Sequence, residues 1–553
     1  MTMMDNDKMD NDKIKNDKIK IRREGLEMDH HMITTDPQLL TALPQVDQAA
    51  QEVKTNEMKK KQKRFRMFGI GSFLYALFYT FCLYRNASGI TYPFFAGGTL
   101  LFFCYFIKKS ESSSADGNRG QTKAHINKTF LMASIAAAGL LNCATDSGVL
   151  IFFNKLLMTV LFCVLLLQCW HDLTGWSVTA YIKGGMMMLF GGIANTIAPI
   201  CDVAACWQLR RRDREKDGRT ERSANGRRLV RSVGIGLLIV FPMAMLIALL
   251  LASADAVFYD LLYNILTFSI DIDSFEDMIR IAGLVSVVFV VCYGIFSYNT
   301  EPQNISAIDN KAQTAKTNWD PYIAVTVNGV MCAMYVVFSG IQIVSLFLGK
   351  LPKGFTYASY ARHGFFELVF VCIFNIVLVL CTLAYFGSLR VLRVLLTIIC
   401  GCTYIMTVSS AYRMLLYIAS YQLTFLRLLV LWGLVMIAVV MTGVLVYTYD
   451  QKFSLFRFVL VTLTVGWLCF SAAHPDYWIA SYNIAACEDG QECDSYYLRR
   501  RLSLDAVPAL SEELWKSEDS VYHRRIERYQ RQRGMFMGFR SFNFSRAYAA
   551  HRI

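Results

Sequence analysis

Seven ionisable residues stand where chemistry could use them: Lys155 and Asp202 within apolar stretches, Asp255 at the end of one, Arg362 and Glu367 at the mouth of another, and Arg413 and Arg427 flanking a tyrosine-rich run. A charge at the centre of a membrane helix costs about 2.5 to 3.5 kcal/mol on insertion scales, so such residues are functional candidates by default. Lys155 and Asp202 have the chemistry of an internal ion pair on a solute or proton path; the alternative for Lys155 is a stem that snorkels to the interface. Asp255 suits a cation or proton entry site, or a polar cap that ends a helix. Arg362, His363 and Glu367 share a helical face, where they converge on an anionic headgroup or anchor a span at its interface. Arg413 and Arg427 bracket "MLLYIASYQLTFL", which is too short to cross a membrane and is expected to form an outer interfacial helix joining two spans. The planar arginine fork suits phospholipid or polyprenyl phosphate, although snorkelling explains both residues as well.

His474, Asp476, Asp489 and Asp494 match no zinc or calcium spacing. The chain holds no phosphate-binding glycine loop, G-x-S-x-G elbow or H-E-x-x-H helix, so no hydrolytic or nucleotide-driven reaction and no cofactor are expected. Most of the sixteen cysteines lie in apolar blocks as small hydrophobes. Cys487 and Cys493 lie in a polar segment, either as a short-loop disulfide in an oxidising compartment or as two free thiols.

The elements that must position these residues follow from composition. With 54% hydrophobic and 18% charged residues, the 553-residue chain is too apolar for an ordinary soluble protein. The apolar residues come in blocks of about twenty, the length that crosses a hydrocarbon core. The sequence predicts spans at 67–85, 89–107, 129–146, 148–170, 229–252, 278–298, 321–348, 364–386, 390–411, 424–447 and 453–472, with a doubtful twelfth at 184–206. The fold class is therefore an all-α polytopic transmembrane bundle of eleven or twelve helices across residues 65–472. A charged, disordered tail at 1–64 carries a thrice-repeated Asn-Asp-Lys unit, and a small helical tail follows at 473–553. Within that second tail, 519–533 reads as an amphipathic helix for the membrane surface or for packing against "AVPALSEELW".

Charge sets the expected topology. The basic cluster from Lys59 to Arg66 ahead of a retained signal anchor places the amino terminus in the cytoplasm. The loop 208–231, with ten Lys or Arg against four acids, belongs on the same side, which makes 184–206 re-entrant rather than a full span. Its Gly184, Gly185, Gly191 and Gly192, with Pro199, also make a poor straight helix. Eleven crossings leave the carboxyl tail outside, although its eight arginines between 520 and 553 pull the other way. The formal charge of +13 is explained by topology, and no nucleic-acid fingerprint accompanies it.

Four stretches carry a family resemblance: "LLASADAVF" (250–258), "YARHGFFELV" (360–369), "YRMLLYIASYQLTFLRL" (412–428), and "IASYNI" (479–484) with "LSLDAVPAL" (502–510). Together they resemble the bacterial integral-membrane family catalogued as domain of unknown function 4173, from about residue 130 onward. Gln422, where that pattern more often has glycine, and the cysteine-bearing insert at 486–494 depart from it. The resemblance implies a bacterial membrane protein and no reaction. The span number, the glycine-rich element and the charged pair suggest a transporter or permease. A membrane-anchored scaffold acting through its tail is the alternative, and an enzyme on lipid-linked substrates ranks last. The expected partners are the bilayer and anionic headgroups.

Overall fold

The computed structural model describes residues 37–113, 126–171, 178–216, 272–301, 320–344, 365–386, 389–490, 494–516, 520–534 and 538–552, together with Leu173, Trp176 and Asp255. Its regular structure among these residues is entirely helical. Two compact units divide the chain: Met1–Met67 with Ile200–Leu249, and Phe68–Pro199 with Leu250–Ile553.

The first unit is built on α1 (Pro37–Leu83) and α6 (Ala198–Lys216). Helix α1 starts well inside the segment expected to be a disordered tail, and only residues 1–36 of that tail lie outside the described residues. The physical reason is propagation. Once the apolar block has nucleated a helix, its Lys-, Gln- and Glu-rich flank extends it without a second nucleation cost. Met58 of this flank packs on Ala205 and Leu209. The Arg64 Nε and Nη2 groups donate to Asp202 Oδ2 and Oδ1, both at 2.7 Å. Asp202, one of the two charged residues noted within apolar stretches, is thus held by Arg64 inside this unit.

In the second unit, eight helices among the described residues are long and apolar enough to cross a membrane. They are the Gln51–Leu83 part of α1, α4 (Gly148–Trp170), α7 (Ile272–Asn299), α8 (Pro321–Gln342), α9 (Phe365–Tyr385), α10 (Arg390–Tyr421), α11 (Phe425–Tyr449) and α12 (Leu455–Ala472). The first of these is shared between the units. Two shorter apolar helices, in α2 (Thr91–Ser113) and α3 (Lys128–Ala144), answer to the blocks at 89–107 and 129–146. The block at 229–252 lies outside the described residues. Side chains such as Phe370, Val377, Val391 and Val435 stay exposed on these helices. Water would not tolerate so much apolar surface, so lipid covers it.

The doubtful block is not one element. It is α5 (Val178–Ala194) and α6, broken at residues 195–197, a form that suits the re-entrant element expected from charge as well as one broken span, which would be the ninth. The glycines expected to weaken the helix instead let α5 approach α7 closely. A Cβ at Gly192 would collide with Ile295, one at Gly191 with Tyr298, and one at Gly294 with the Gly192 carbonyl. Small residues at a membrane helix contact replace the hydrophobic drive that lipid removes. Asn195 Nδ2 donates to Ser297 Oγ at 3.2 Å beside this contact.

Helix α10 also differs from expectation. It runs unbroken to Tyr421, so "MLLYIAS" is its last turns rather than a separate interfacial helix. Arg413, read as an interface residue, is buried, and its Nη2 donates to Gln342 Oε1 of α8 at 2.8 Å, where Ser409 Oγ also donates at 2.8 Å. That internal acceptor lets a charged side chain face the bundle and keeps the helix continuous. Its end comes at Gln422, with φ 64° and ψ 174°.

Replacing Arg64 with alanine removes the two-point partner of a fully buried carboxylate. A loss of stability on the order of 3 kcal/mol is expected, measured as a lower melting temperature of the detergent-purified protein. A melt unchanged from wild type would show that the pair holds nothing.

Candidate functional site

The carboxyl tail folds onto the helix ends through α13 (Pro475–Glu488), α14 (Ser495–Arg500), a 3-10 turn (Leu504–Ala509), α15 (Glu512–Lys516), α16 (Val521–Gly534) and α17 (Phe544–Arg552). Leu498, Leu504, Val507, Trp515, Tyr522 and Ile526 share one apolar core with Met414, Ile418 and Leu434 of α10 and α11. The amphipathic 519–533 segment therefore packs inward, onto the "AVPALSEELW" stretch.

Asparagine side chains make the joints. Asn543 caps α17 by accepting from the Arg546 amide at 3.1 Å, and its Nδ2 donates to the Ser88 and Thr145 carbonyls at 3.0 and 2.9 Å. Asn86 donates to the Arg540 carbonyl at 3.0 Å. Gly89 leaves the Arg540 backbone room that any Cβ would fill. Asn483 exchanges two hydrogen bonds with the Leu423 backbone, each of 2.9 Å. The tail thus ties down the turns α1–α2, α3–α4 and α10–α11.

At the centre lies Asp505. Its carboxylate accepts from Thr145 Oγ1, from the Asp146 amide at 2.8 Å and from Ser545 Oγ at 2.5 Å, and His474 Nδ1 lies 3.5 Å away. Burial pushes this carboxyl up, but the donors from His474, Ser545, Thr145 and Asp146 outweigh it and hold it below its ordinary value. The same contact raises His474 above the usual histidine range against its partial burial. His474 itself has φ 48° ahead of Pro475, a backbone strain that the cluster holds in place. Asp476, one turn into the tail, accepts from Ser503 N at 3.1 Å and Ser503 Oγ at 2.5 Å. Burial pushes its carboxyl up to about 6.

Beside this cluster opens a chamber of about 620 Å³. Five arginines line it, Arg85, Arg501, Arg525, Arg528 and Arg546, against two carboxylates, Asp146 and Asp476. Arg546 Nε is 2.6 Å and Arg525 Nη1 3.8 Å from Asp146, and Arg85 Nη2 is 2.7 Å from Asp277. Arg501 and Arg528 have no ion pair among the described residues. Ser147, Gly148 and Val149, where α4 begins, and Phe425, where α11 begins, complete the lower lip. Such a surplus of guanidinium in a recess attracts anions with oxygens arranged for a planar fork.

None of the residues singled out from sequence as site candidates lines this chamber. The Lys155 ammonium stands 5.0 Å over the Tyr92 ring. Asp255 is exposed, Glu367 is exposed in the first turn of α9, and Arg362 lies outside the described residues. Arg427 Nη1 donates to the Tyr421 carbonyl at 2.6 Å and to that of Gln422, with the guanidinium over Tyr417, so it closes the end of α10. Cys487 is disulfide-bonded, and Cys493 lies outside the described residues. Of the chamber's residues only Asp476 drew individual notice in the sequence, as one of four scattered ligand types. The one available signal was the excess of arginine in the tail, at odds with its expected side of the membrane.

The protonation states give the docked tail a definite pH response. Asp476 keeps its proton to a higher pH when folded than when unfolded, so the folded state binds more protons between 3.8 and about 6 and stability falls as pH rises through that window. His474, raised above 6.5, likewise contributes fully below 6.5 and loses its contribution as pH climbs through the raised value. Asp505 has the opposite sign and matters only below 3.8. Exchange protection of 475–488, corrected for intrinsic rates, should drop as pH rises from about 4 to about 7, by on the order of 3 kcal/mol for Asp476. In Asp476→Asn most of that slope should vanish; an undiminished slope would remove Asp476 from the account.

No curated protein and no solved structure matches the chain. A family model matches residues 129–513, most of the bundle and the tail as far as α15. Its description, domain of unknown function DUF4153, corrects the family number that the four sequence stretches suggested; stretches so short do not separate one such family from another. A multi-pass membrane protein whose tail and helix ends enclose an arginine-lined chamber, the chain belongs to the family described as Domain of unknown function (DUF4153).

Proposed function

We propose that the protein captures an anionic ligand in the arginine-lined chamber, at one face of the membrane, and binds it without transforming it. The observation that carries this reading is the imbalance of five guanidiniums against two carboxylates around one recess. Arg501 and Arg528 supply the charge, and Arg525 and Arg546, held by Asp146 and the Leu502 carbonyl, supply fixed donors. Fixed donors lose little freedom on binding, which favours affinity.

A permease is the second reading, favoured by the break between α5 and α6, since broken helices are a recurrent feature of transporter sites. It adds translocation to capture. A recruiting scaffold is less well supported, because the tail's apolar side chains are spent on the core shared with α10 and α11. The cytoplasmic membrane of a bacterium, with the amino terminus inside and the tail outside, fits the basic cluster before the first span and the bridged Cys487.

Two measurements test this. In titrations of the detergent-purified protein, pyrophosphate should raise the melting temperature where chloride at equal ionic strength does not. Arg501→Ala with Arg528→Ala should weaken that effect roughly tenfold or more. Equal responses to both salts, or an unaffected double variant, would reject anion capture. For orientation, an impermeant maleimide should label Cys487 on intact cells only after reduction, while a cysteine introduced near Arg222 stays unlabelled; the reverse pattern inverts the topology.

A further inference from the structure

The chamber lies where spans begin, and its lower lip is apolar. Helix α4 has 23 residues, about 34 Å at 1.5 Å per residue, little more than the hydrocarbon thickness. Its first residues, Gly148 and Val149, therefore sit at headgroup level, and both line the chamber. A Cβ at Gly148 would meet no atom within 4 Å, so the lip is open there. From it an exposed stripe descends α4 through Val149, Phe152, Leu156 and Val160, at spacings of three, four and four that keep one helical face. All four side chains are at least 40% exposed. Exposed apolar side chains occur on every span, but this row is continuous with the arginine chamber.

Lys155 belongs to the same helix, adjoining the stripe, and its ammonium lies over Tyr92, whose hydroxyl donates to the carbonyl of the chamber residue Asn86 at 3.3 Å. The lysine is thus drawn toward the wall of the chamber from about two turns below the lip. A soluble anion has no use for a charge at that depth or for an apolar lip. An anionic group carried on a hydrocarbon chain has a use for both.

Resting on the reading of the chamber as an anion site, we infer that its ligand is the phosphate headgroup of a membrane amphiphile, drawn laterally from the leaflet on the tail side. The phosphate oxygens meet Arg501 and Arg528, and the chain lies along Val149, Phe152, Leu156 and Val160. The chamber volume of about 620 Å³ accommodates a glycerophosphate-sized head without the chain.

The test compares one phosphate chemistry with and without its chains. Full-length protein, delipidated and placed in phosphatidylcholine nanodiscs, is titrated with phosphatidylglycerol by native mass spectrometry, and separately in detergent with glycerophosphoglycerol, its deacylated, water-soluble phosphodiester. Phosphatidylglycerol should bind at least about a hundredfold more tightly, as burial of several methylenes requires. Phe152→Asn should lower its retention severalfold, and Arg501→Ala with Arg528→Ala roughly tenfold. Equal affinity for glycerophosphoglycerol and phosphatidylglycerol would overturn the lipid inference and leave anion capture standing. Binding of neither would overturn both. The wild-type comparison stays decisive even where a variant fails to fold.

Discussion

The arrangement of the tail depends on one buried carboxylate. Asp505 has almost no contact with solvent and accepts from the α3–α4 turn through Thr145 and Asp146, from α17 through Ser545, and faces His474 at the start of the tail. A buried charge is costly unless its lone pairs are met, and here donors from three separate parts of the chain meet them. Any displacement of the tail would leave the charge undersupplied. Residues some 360 positions apart are thereby fixed against one another, and the chamber beside them inherits that rigidity.

The bundle follows the same rule with weaker means. Asn154 accepts from Trp467 at 2.8 Å and donates to Ser471 at 3.1 Å, Asn375 donates to Thr403 at 2.9 Å, and Asn328 donates to Thr382 at 3.2 Å. Each amide joins two spans through a contact that lipid cannot offer. Together with the α5–α7 glycine contact, these pairs give those particular polar and small residues a structural role. The charged residues receive the same treatment: Arg413 meets Gln342, and Lys155 stacks on Tyr92.

Much of the bundle was legible because apolar blocks of span length have a single economical reading in lipid. What failed was interpretation of charge near span ends. Arg413 resembled an interface marker only because its acceptor, Gln342, lies 71 positions away and cannot be paired with it by spacing. Gln422 is instructive in the other direction. Its departure from an expected glycine marks a residue at φ 64° and ψ 174°, a conformation that glycine alone adopts freely. Backbone demand was visible there as a residue-type anomaly. The chamber was not, since its arginines come from positions 85, 501, 525, 528 and 546, and no local pattern joins them.

The excess of arginine in the tail, which conflicts with simple charge rules for topology, has a local explanation. Arg540 donates to the Phe81 carbonyl at 2.6 Å, Arg552 to that of Pro508 at 2.9 Å, and Arg525 to that of Leu502 at 2.9 Å. These guanidiniums satisfy carbonyls left over where helices and turns end, a task for which a planar donor fork is better shaped than an ammonium. Side chains recruited for that purpose carry charge whether or not the carbonyl needs it. Of these three only Arg525 also lines the recess, where it stands with Arg85, Arg501, Arg528 and Arg546 against the carboxylates of Asp146 and Asp476. The fastening of the tail thus sets part of the charge of the recess, since the Leu502 carbonyl holds Arg525 there and Asp146 holds Arg546.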